Sequence, residues 1–169
     1  CSDTVVHGIV VYSKPTANFS TNSPCLGLST LFSDLSAVAG DTLTGWSWNF
    51  GNNSPLATTQ NPTYSYSASG TYSASLIATT NNGCKDTAVF NVTVHPLPDA
   101  QFSTANVCDG SAVPFNSLST IAAPDLIDST IWNFGDASPD NTNQTTSHTY
   151  LAVGAYVVQL LAVSNFGCR

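Results

Sequence analysis

Hydrophobic and polar residues alternate along much of this chain with the two-residue period of a β-strand. The clearest case is "GTYSASLIAT", in which Tyr72, Ala74, Leu76 and Ala78 alternate with small polar residues. "TAVFNVTVH" is rich in β-branched residues, "GWSWNF" predicts a short aromatic strand and "NFSTNSPC" an opening one. Clusters of turn residues separate these stretches, and none of them has a helical period. The pattern predicts an all-β chain.

The strand-and-turn pattern occurs twice. Trp-Asn-Phe-Gly stands at residues 48–51 and again at residues 132–135, a shift of 84 residues. Ser65–Cys84 matches Thr149–Cys168, and Cys1–Pro15 aligns with Cys84–Pro98. The shift is 83 residues between Cys25 and Cys108, so one residue is inserted between Cys108 and the second motif.

This repetition predicts the domain organisation. Residues 1–14 are expected to be the last strand of a preceding repeat, residues 15–97 a first repeat, and residues 98–169 a second repeat that lacks its last strand. The chain is therefore expected to be a window on a longer array. Short strands, frequent turns and a core Trp predict that each repeat is an immunoglobulin-like antiparallel β-sandwich of about seven strands. In such a domain the Trp packs on a disulfide or on the facing sheet.

The cysteines follow the same period. They stand at Cys1, Cys25, Cys84, Cys108 and Cys168. Neither C-x-x-C nor a Cys/His spacing typical of a zinc site occurs. We therefore expect one disulfide per repeat, Cys25–Cys84 and Cys108–Cys168, with Cys1 left unpaired. Disulfides indicate an oxidising, extracytoplasmic environment.

Composition excludes several classes of partner. The chain has three Lys+Arg, ten Asp+Glu and a formal net charge of −7. Nucleic acids and anionic membranes attract clusters of basic residues, which this chain lacks. Its longest apolar runs, such as Tyr156–Val163, are strand-sized and too short to cross a bilayer.

The repeated motif resembles that of the PKD domain family. The second copy reads Trp132-x-Phe134-Gly135-Asp136, then His148-x-Tyr150, then Gly154-x-Tyr156, and the first copy departs from it with Asn52 and Tyr64 at the Asp136 and His148 positions. The resemblance implies immunoglobulin-like sandwiches in which these signature residues form core and turn: Trp48, Phe50, Gly51, Tyr66, Tyr72, Trp132, Phe134, Gly135, Tyr150 and Tyr156. With its extra cysteine pair, the chain resembles the PKD arrays of large adhesins and filaments of gliding Bacteroidota, which are often exported by type IX secretion.

Two groups of polar residues are candidates for chemistry. His148 could act as a ligand or base, but Tyr64 cannot take that role in the first copy, which favours a structural contact. Four carboxylates, Asp125, Asp128, Asp136 and Asp140, are a weak candidate for a Ca²⁺ site. Asp136 and Asn52 are better explained as acceptors for backbone N–H groups in the turn. We expect no cofactor, and Ca²⁺ is the one candidate.

The sequence predicts no catalytic activity, but it contains candidate sites for covalent modification. The chain has no G-x-S-x-G motif and no His shared by both repeats, so we expect no enzyme activity. Four Asp-Ser/Thr tripeptides resemble the O-glycosylation signal of the same bacterial group, with acceptors at Thr4, Thr42, Thr87 and Ser129.

These features favour a structural and adhesive segment of a long extracellular, cell-surface repeat protein. Its partners are then neighbouring repeats of the same chain, other filament chains or surface polysaccharide. One alternative is an accessory spacer or substrate-binding module of a secreted hydrolase. Another is a short subunit that polymerises by donating Val5–Tyr12 to a neighbour, which Cys1 argues against if it competes with Cys168 for Cys108.

Overall fold

The computed structural model describes residues 1–169, and all of its regular secondary structure is β-strand. The chain forms two compact units. The first unit comprises Cys1–Ser23, Ser29–Tyr66 and Thr71–Thr93, and the second comprises Pro24–Leu28, Ser67–Gly70 and Val94–Arg169. The all-β fold class predicted from the sequence is confirmed.

Six strands form two antiparallel sheets in the first repeat. They are β1 (Phe19–Thr21), β2 (Thr30–Asp34), β3 (Leu43–Asn49), β4 (Thr63–Tyr64), β5 (Gly70–Thr80) and β6 (Lys85–Val94). One sheet has the order β1-β2-β4 and the other β3-β5-β6. Trp48 of β3 lies 5.1 Å from Phe19 and 5.5 Å from Phe32, measured between ring centroids, so the Trp packs on the facing sheet.

The second repeat contains five strands. They are β7 (Phe102–Thr104), β8 (Val113–Ser117), β9 (Ile127–Asn133), β10 (Thr145–His148) and β11 (Gln159–Ser164). Their sheets have the orders β10-β8-β7 and β11-β9. Phe115, Trp132 and Phe134 form its buried core. The two repeats thus have six and five strands, one and two fewer than the seven expected, and isolated bridges such as Trp48–Ala57 and Trp132–Asn141 extend the pairing.

Residues 1–14 form no strand in this structure. Their apolar side chains are exposed, with Val6 at 88% and Val11 at 89%, because no sheet of the described chain pairs with them. The structure therefore does not show the strand expected there, and its assignment to a preceding repeat stays a prediction.

Candidate functional site

The Trp-x-Phe-Gly motif forms the same turn in both repeats. The Asn between Trp and Phe accepts a hydrogen bond from the Gly N–H, at 2.8 Å for Asn49–Gly51 and 3.0 Å for Asn133–Gly135. Both glycines have positive φ, +80° and +77°. A Cβ on Gly51 would lie 2.5 Å from the carbonyl oxygen of Ser73, and a Cβ on Gly135 would clash with that of Val157. The motif therefore requires glycine for both conformation and space.

A hydrogen bond from a tyrosine hydroxyl completes this turn in each repeat. The Tyr66 hydroxyl donates to the carbonyl oxygen of Phe50 at 2.9 Å, and Tyr150 donates to that of Phe134 at 3.1 Å. Burial raises the pKa of Tyr66 to about 12, because the charged phenolate is disfavoured away from water. Of the signature residues, Gly51 and Gly135 lie in the turn, Tyr72, Tyr150 and Tyr156 are half-buried, and the buried ones are Trp48, Phe50, Tyr66, Trp132 and Phe134.

His148 makes a structural contact. Its Nε2 lies 2.6 Å from Asp136 Oδ2, and its ring stacks on Phe134 at 4.2 Å. In the first repeat Asn52 Nδ2 donates to the Tyr64 hydroxyl at 2.8 Å, and the Tyr64 ring stacks on Phe50 at 4.2 Å. The neutral pair Asn52–Tyr64 of the first repeat thus has the same arrangement as the ionisable pair Asp136–His148 of the second.

The surroundings of Asp136 are unsuited to nucleophilic catalysis. Ser138 Oγ donates to Asp136 Oδ1 at 2.6 Å, so the hydroxyl and His148 both bond to the same carboxylate. A catalytic base must instead face the nucleophile's own proton. The hydrogen bond from Ser138, followed by the one from His148, lowers the pKa of Asp136 to about 2. The backbone N–H of Ser138 also donates to Asp136, as that of Ser54 does to Asn52, which is the turn geometry predicted for both residues.

The four aspartates proposed for Ca²⁺ do not form a site. Asp125 is bonded to His95, Asp136 to His148, and Asp140 to Asn133 at 3.4 Å. No group of three or more His, Cys, Asp or Glu side chains in the chain has the spacing of a metal site. The expected convergence of these carboxylates is therefore wrong, because Asp125, Asp136 and Asp140 each bond to a different side chain.

The predicted disulfides, Cys25–Cys84 and Cys108–Cys168, are also wrong. The structure contains one disulfide, Cys25–Cys168, with the two Cα atoms 5.5 Å apart, and leaves Cys1, Cys84 and Cys108 free. Cys25 lies beside His95, just beyond the end of β6, whereas Cys84 immediately precedes the start of β6. A ten-residue strand is roughly 33 Å long, far beyond the Cα separation of about 7 Å that a disulfide can bridge.

The two cysteines of this disulfide belong to a cluster of five side chains. We call Cys25, His95, Asp125, Phe166 and Cys168 the disulfide cluster; all five belong to the second unit. Cys168, His95 and Asp125 are almost completely buried, at 1%, 5% and 5% exposure. Such burial of polar side chains is stable only where they are paired.

Hydrogen bonds and a ring stack connect the members of the disulfide cluster. The His95 backbone donates to the Pro24 carbonyl at 2.9 Å and accepts from Leu26 N–H at 2.8 Å, which holds it beside Cys25. The His95 ring stacks on Phe166 at 3.7 Å, and its Nδ1 lies 2.9 Å from Asp125 Oδ2. The two groups thus satisfy each other's hydrogen-bonding capacity inside the protein.

The turn that carries Cys168 is fixed by its own backbone. Ser164 N–H donates to the Cys168 carbonyl at 2.9 Å, and Cys168 N–H donates to Ser164 Oγ at 3.1 Å. Asn165 exchanges two hydrogen bonds with the backbone of Leu126, both of 3.0 Å, which ties the turn to the segment that holds Asp125. The disulfide therefore joins two preformed segments.

Sequence reasoning missed His95 and Phe166 as members of this cluster. The only available signal was their difference from the residues that align with them one repeat earlier, Tyr12 for His95 and Asn82 for Phe166. The predicted glycosylation acceptors remain untested: Thr4, Thr42 and Thr87 are exposed and Ser129 is half-buried. No helix in the chain has the length and apolar character needed to span a membrane.

Comparison with known proteins identifies the family. The PKD domain profile matches residues 12–94 and 95–169, close to the boundaries of 15–97 and 98–169 predicted for the repeats. The PKD1 domain of Vibrio anguillarum Epp is 27% identical, with a TM-score of 0.46, over 50% of this chain and 96% of that domain. The PKD1 domain of the Vibrio cholerae metalloprotease PrtV is 31% identical, with a TM-score of 0.44, over 48% of this chain and 96% of that domain.

A structure of carbohydrate-binding modules from the β-sandwich superfamily is 16% identical, with a TM-score of 0.47, over 88% of this chain and 83% of that one. No curated protein sequence matches the chain. PKD domains are generally non-catalytic accessory modules, and PKD domains with a disulfide are typical of extracellular proteins. Because the profile covers two consecutive segments from residue 12 to residue 169, the chain belongs to the PKD domain family and carries two tandem PKD domains.

Proposed function

We propose that the chain is a non-catalytic structural segment of an extracellular, cell-surface filament or gliding-type adhesin built from repeated PKD domains. The observation that carries this proposal is the disulfide cluster. Its most elaborate chemistry is a buried hydrogen bond between His95 and Asp125, a ring stack and a covalent cross-link, all of which hold chain segments together.

The covalent link favours a protein that must stay folded outside the cell. Cys25 and Cys168 are separated by 143 residues, and closing a loop of this length lowers the entropy of the unfolded chain. The chain-entropy relation gives a stabilisation of about 5 kcal/mol for such a loop. This is comparable to the whole stability of a small domain.

The low content of charged residues fits a surface that is hydrated by groups other than charged side chains. Only 8% of residues are charged. Glycans at Thr4, Thr42 and Thr87 would add hydration and resistance to proteases at exposed positions. We include modification at these sites, and contacts with other filament chains or surface polysaccharide, in the proposed function.

The test is to locate the chain on the cells that produce it. Antibodies raised against the 169-residue chain should label extended structures on intact, unpermeabilised cells, and brief protease treatment of those cells should remove the label. A label found only in the culture fluid, co-purifying with a hydrolase activity, would overturn the proposal in favour of an accessory hydrolase module.

A further inference from the structure

The disulfide closes a loop that is longer than one repeat. Cys25 and Cys168 are 143 residues apart, whereas the sequence pattern recurs after 83 or 84 residues. Large buried aromatic side chains from both cores lie inside this loop: Phe32, Trp48, Phe50, Phe115, Trp132 and Phe134. The connection between the two repeats, residues 95–98, lies inside it as well. One covalent link therefore encloses both cores and the segment that joins them.

Tension applied outside this loop has a covalent route past it. A force that enters the backbone before Cys25 passes through the two bonded side chains and leaves the chain at Cys168. The residues between them carry no net force, because the disulfide holds the two Cα atoms 5.5 Å apart. A separate disulfide within each repeat would leave residues 85–107 under load, whereas the link in this structure also relieves the connection.

The surroundings of the link restrict the chemistry that would open it. Disulfide exchange requires a thiolate to reach one of the two sulfur atoms. Cys168 is 1% exposed and Cys25 is half-buried. The backbone groups on either side of Cys25 bond to the backbone of His95, and the His95 ring stacks on Phe166 at 3.7 Å. Folding of the disulfide cluster therefore protects the link from reduction.

We propose that the Cys25–Cys168 disulfide is the load-bearing link of this chain. It carries tension past both PKD cores and past the connection between them, so that neither domain extends under load. This inference rests on the structural role proposed above, because a filament or adhesin on a cell surface is pulled along its length. Hydrogen bonds and packing then fix the shape of the domains, while the covalent bond supplies the resistance to stretching.

The position of the link sets how far an oxidised chain can lengthen. The segment that precedes Cys25 includes β1, which pairs with β2 from Phe19↔Asp34 to Thr21↔Phe32. Separation of β1 from β2 frees residues 1–24, which span at most about 90 Å when fully extended. Opening the loop of 143 residues would release about 500 Å more. The two cases differ several-fold in length.

The test stretches the full 169-residue chain between DNA tethers attached to its two ends, in optical tweezers under oxidising conditions. The chain should gain no more than about 90 Å before the tethers fail. A gain of about 170 Å would indicate the separate disulfides Cys25–Cys84 and Cys108–Cys168, since residues 85–107 would then extend too. A gain of about 600 Å would indicate a chain with no cross-link. Either of these two results overturns the proposal.

Two double variants provide matched controls. Cys25→Ser with Cys168→Ser opens the loop and should add about 500 Å to the extension. Its final length is the same whether or not the variant folds, because a stretched open chain is fully extended in both cases. Cys84→Ser with Cys108→Ser replaces two cysteines that are free in this structure and should leave the extension below about 90 Å. Equal extensions for the two variants would overturn the proposal.

A second measurement holds each chain at constant tension. Forced unfolding depends on the unfolding rate, so a chain without the link lengthens as its domains unfold. The unmodified chain should keep its length at least tenfold longer than Cys25→Ser with Cys168→Ser, and equal lifetimes would overturn the proposal. An oxidised chain that extends fully but labels cell-surface structures would refute the load-bearing link and leave the proposed function standing. A chain that resists stretching but occurs only beside a hydrolase in the culture fluid would refute the proposed function.

Discussion

The glycine that follows Trp-x-Phe has two separate roles at a single residue. Gly51 and Gly135 adopt a backbone conformation that other residues reach only with strain. They also face a neighbouring carbonyl oxygen so closely that no side chain fits. Gly27 has the same kind of conformation, with φ of +89°, but no atom lies within 4 Å of the position that a methyl group would occupy there. These glycines allow the two effects to be measured separately.

We expect Gly135→Ala to lower the free energy of unfolding by about 3 kcal/mol, because it adds a backbone clash to the strain of a positive φ. Gly27→Ala should cost only about 1 kcal/mol, since strain alone operates there. Urea denaturation followed by Trp fluorescence measures both values. Equal losses for the two variants would show that the close approach to Val157 has no energetic consequence.

Asp136 should make stability depend on pH in the acid range. Its pKa in the folded state is about 2, against an ordinary value of 3.8, so its contribution is present above pH 3.8 and is lost as the pH falls through 2. In urea titrations at pH 5 and pH 2.5, Asp136→Asn should therefore lose less stability on acidification than the unmodified chain.

A double variant provides the control for this prediction. Asp136→Asn with His148→Tyr installs the neutral pair that the first repeat already uses, Asn52 and Tyr64, in the same stacked geometry. It should retain the stability of the unmodified chain at pH 5 and lose the part of the pH dependence that Asp136 contributes. An unchanged acid response in both variants would mean that other carboxylates control it.

At the scale of single elements, the sequence predicted strands well and their ends poorly. Alternation in residues 70–80 predicts β5 because one face of the strand is buried and the other exposed, which any antiparallel sandwich requires. The pairing of the cysteines was not predictable in this way. Equal spacing indicates which cysteines are equivalent, but only the direction of β6 shows that Cys84 and Cys25 lie at its opposite ends.

The disulfide cluster was missed for a related reason. His95 and Asp125 are 30 residues apart, and the residue that aligns with His95 one repeat earlier is Tyr12, so the repetition does not reveal the pair. Their contact depends on where a linker and a loop meet, which local patterns do not report. The Ca²⁺ expectation failed likewise, since closeness in sequence placed Asp125 near Asp128 but its side chain bonds to His95.

The buried pair between His95 and Asp125 should be sensitive to the loss of either partner. Asp125→Ala leaves the buried His95 ring without its hydrogen-bond partner, which costs about 3 kcal/mol in the free energy of unfolding. Asp140→Ala removes a carboxylate from a surface hydrogen bond of 3.4 Å and should cost less than about 0.5 kcal/mol. Urea denaturation under non-reducing conditions compares the two, and equal costs would mean that the pair adds nothing beyond its surroundings.

At the scale of the whole molecule, the disulfide joins two cysteines that are 143 residues apart. Among Cys25, Cys84, Cys108 and Cys168, no other pair is so far apart in sequence. The chain-entropy relation depends on loop length, so this cross-link should dominate the covalent stabilisation of the chain. The free cysteines Cys84 and Cys108 should contribute none in the isolated monomer. Two pairs of cysteines in one chain, one bonded and one free, give an internal comparison.

We expect Cys25→Ser with Cys168→Ser to lower the free energy of unfolding by about 3–5 kcal/mol. The matched double variant Cys84→Ser with Cys108→Ser should change it by less than about 1 kcal/mol, because these thiols are free in the monomer. The measurement is thermal and urea unfolding at micromolar concentration, with and without reductant. Reductant should destabilise the second variant and leave the first unchanged.

If each domain instead held its own disulfide, Cys25–Cys84 and Cys108–Cys168, each variant would break both bonds and the two would be equally destabilised. The comparison therefore decides whether the covalent link follows the boundaries of the repeat or joins one repeat to the next.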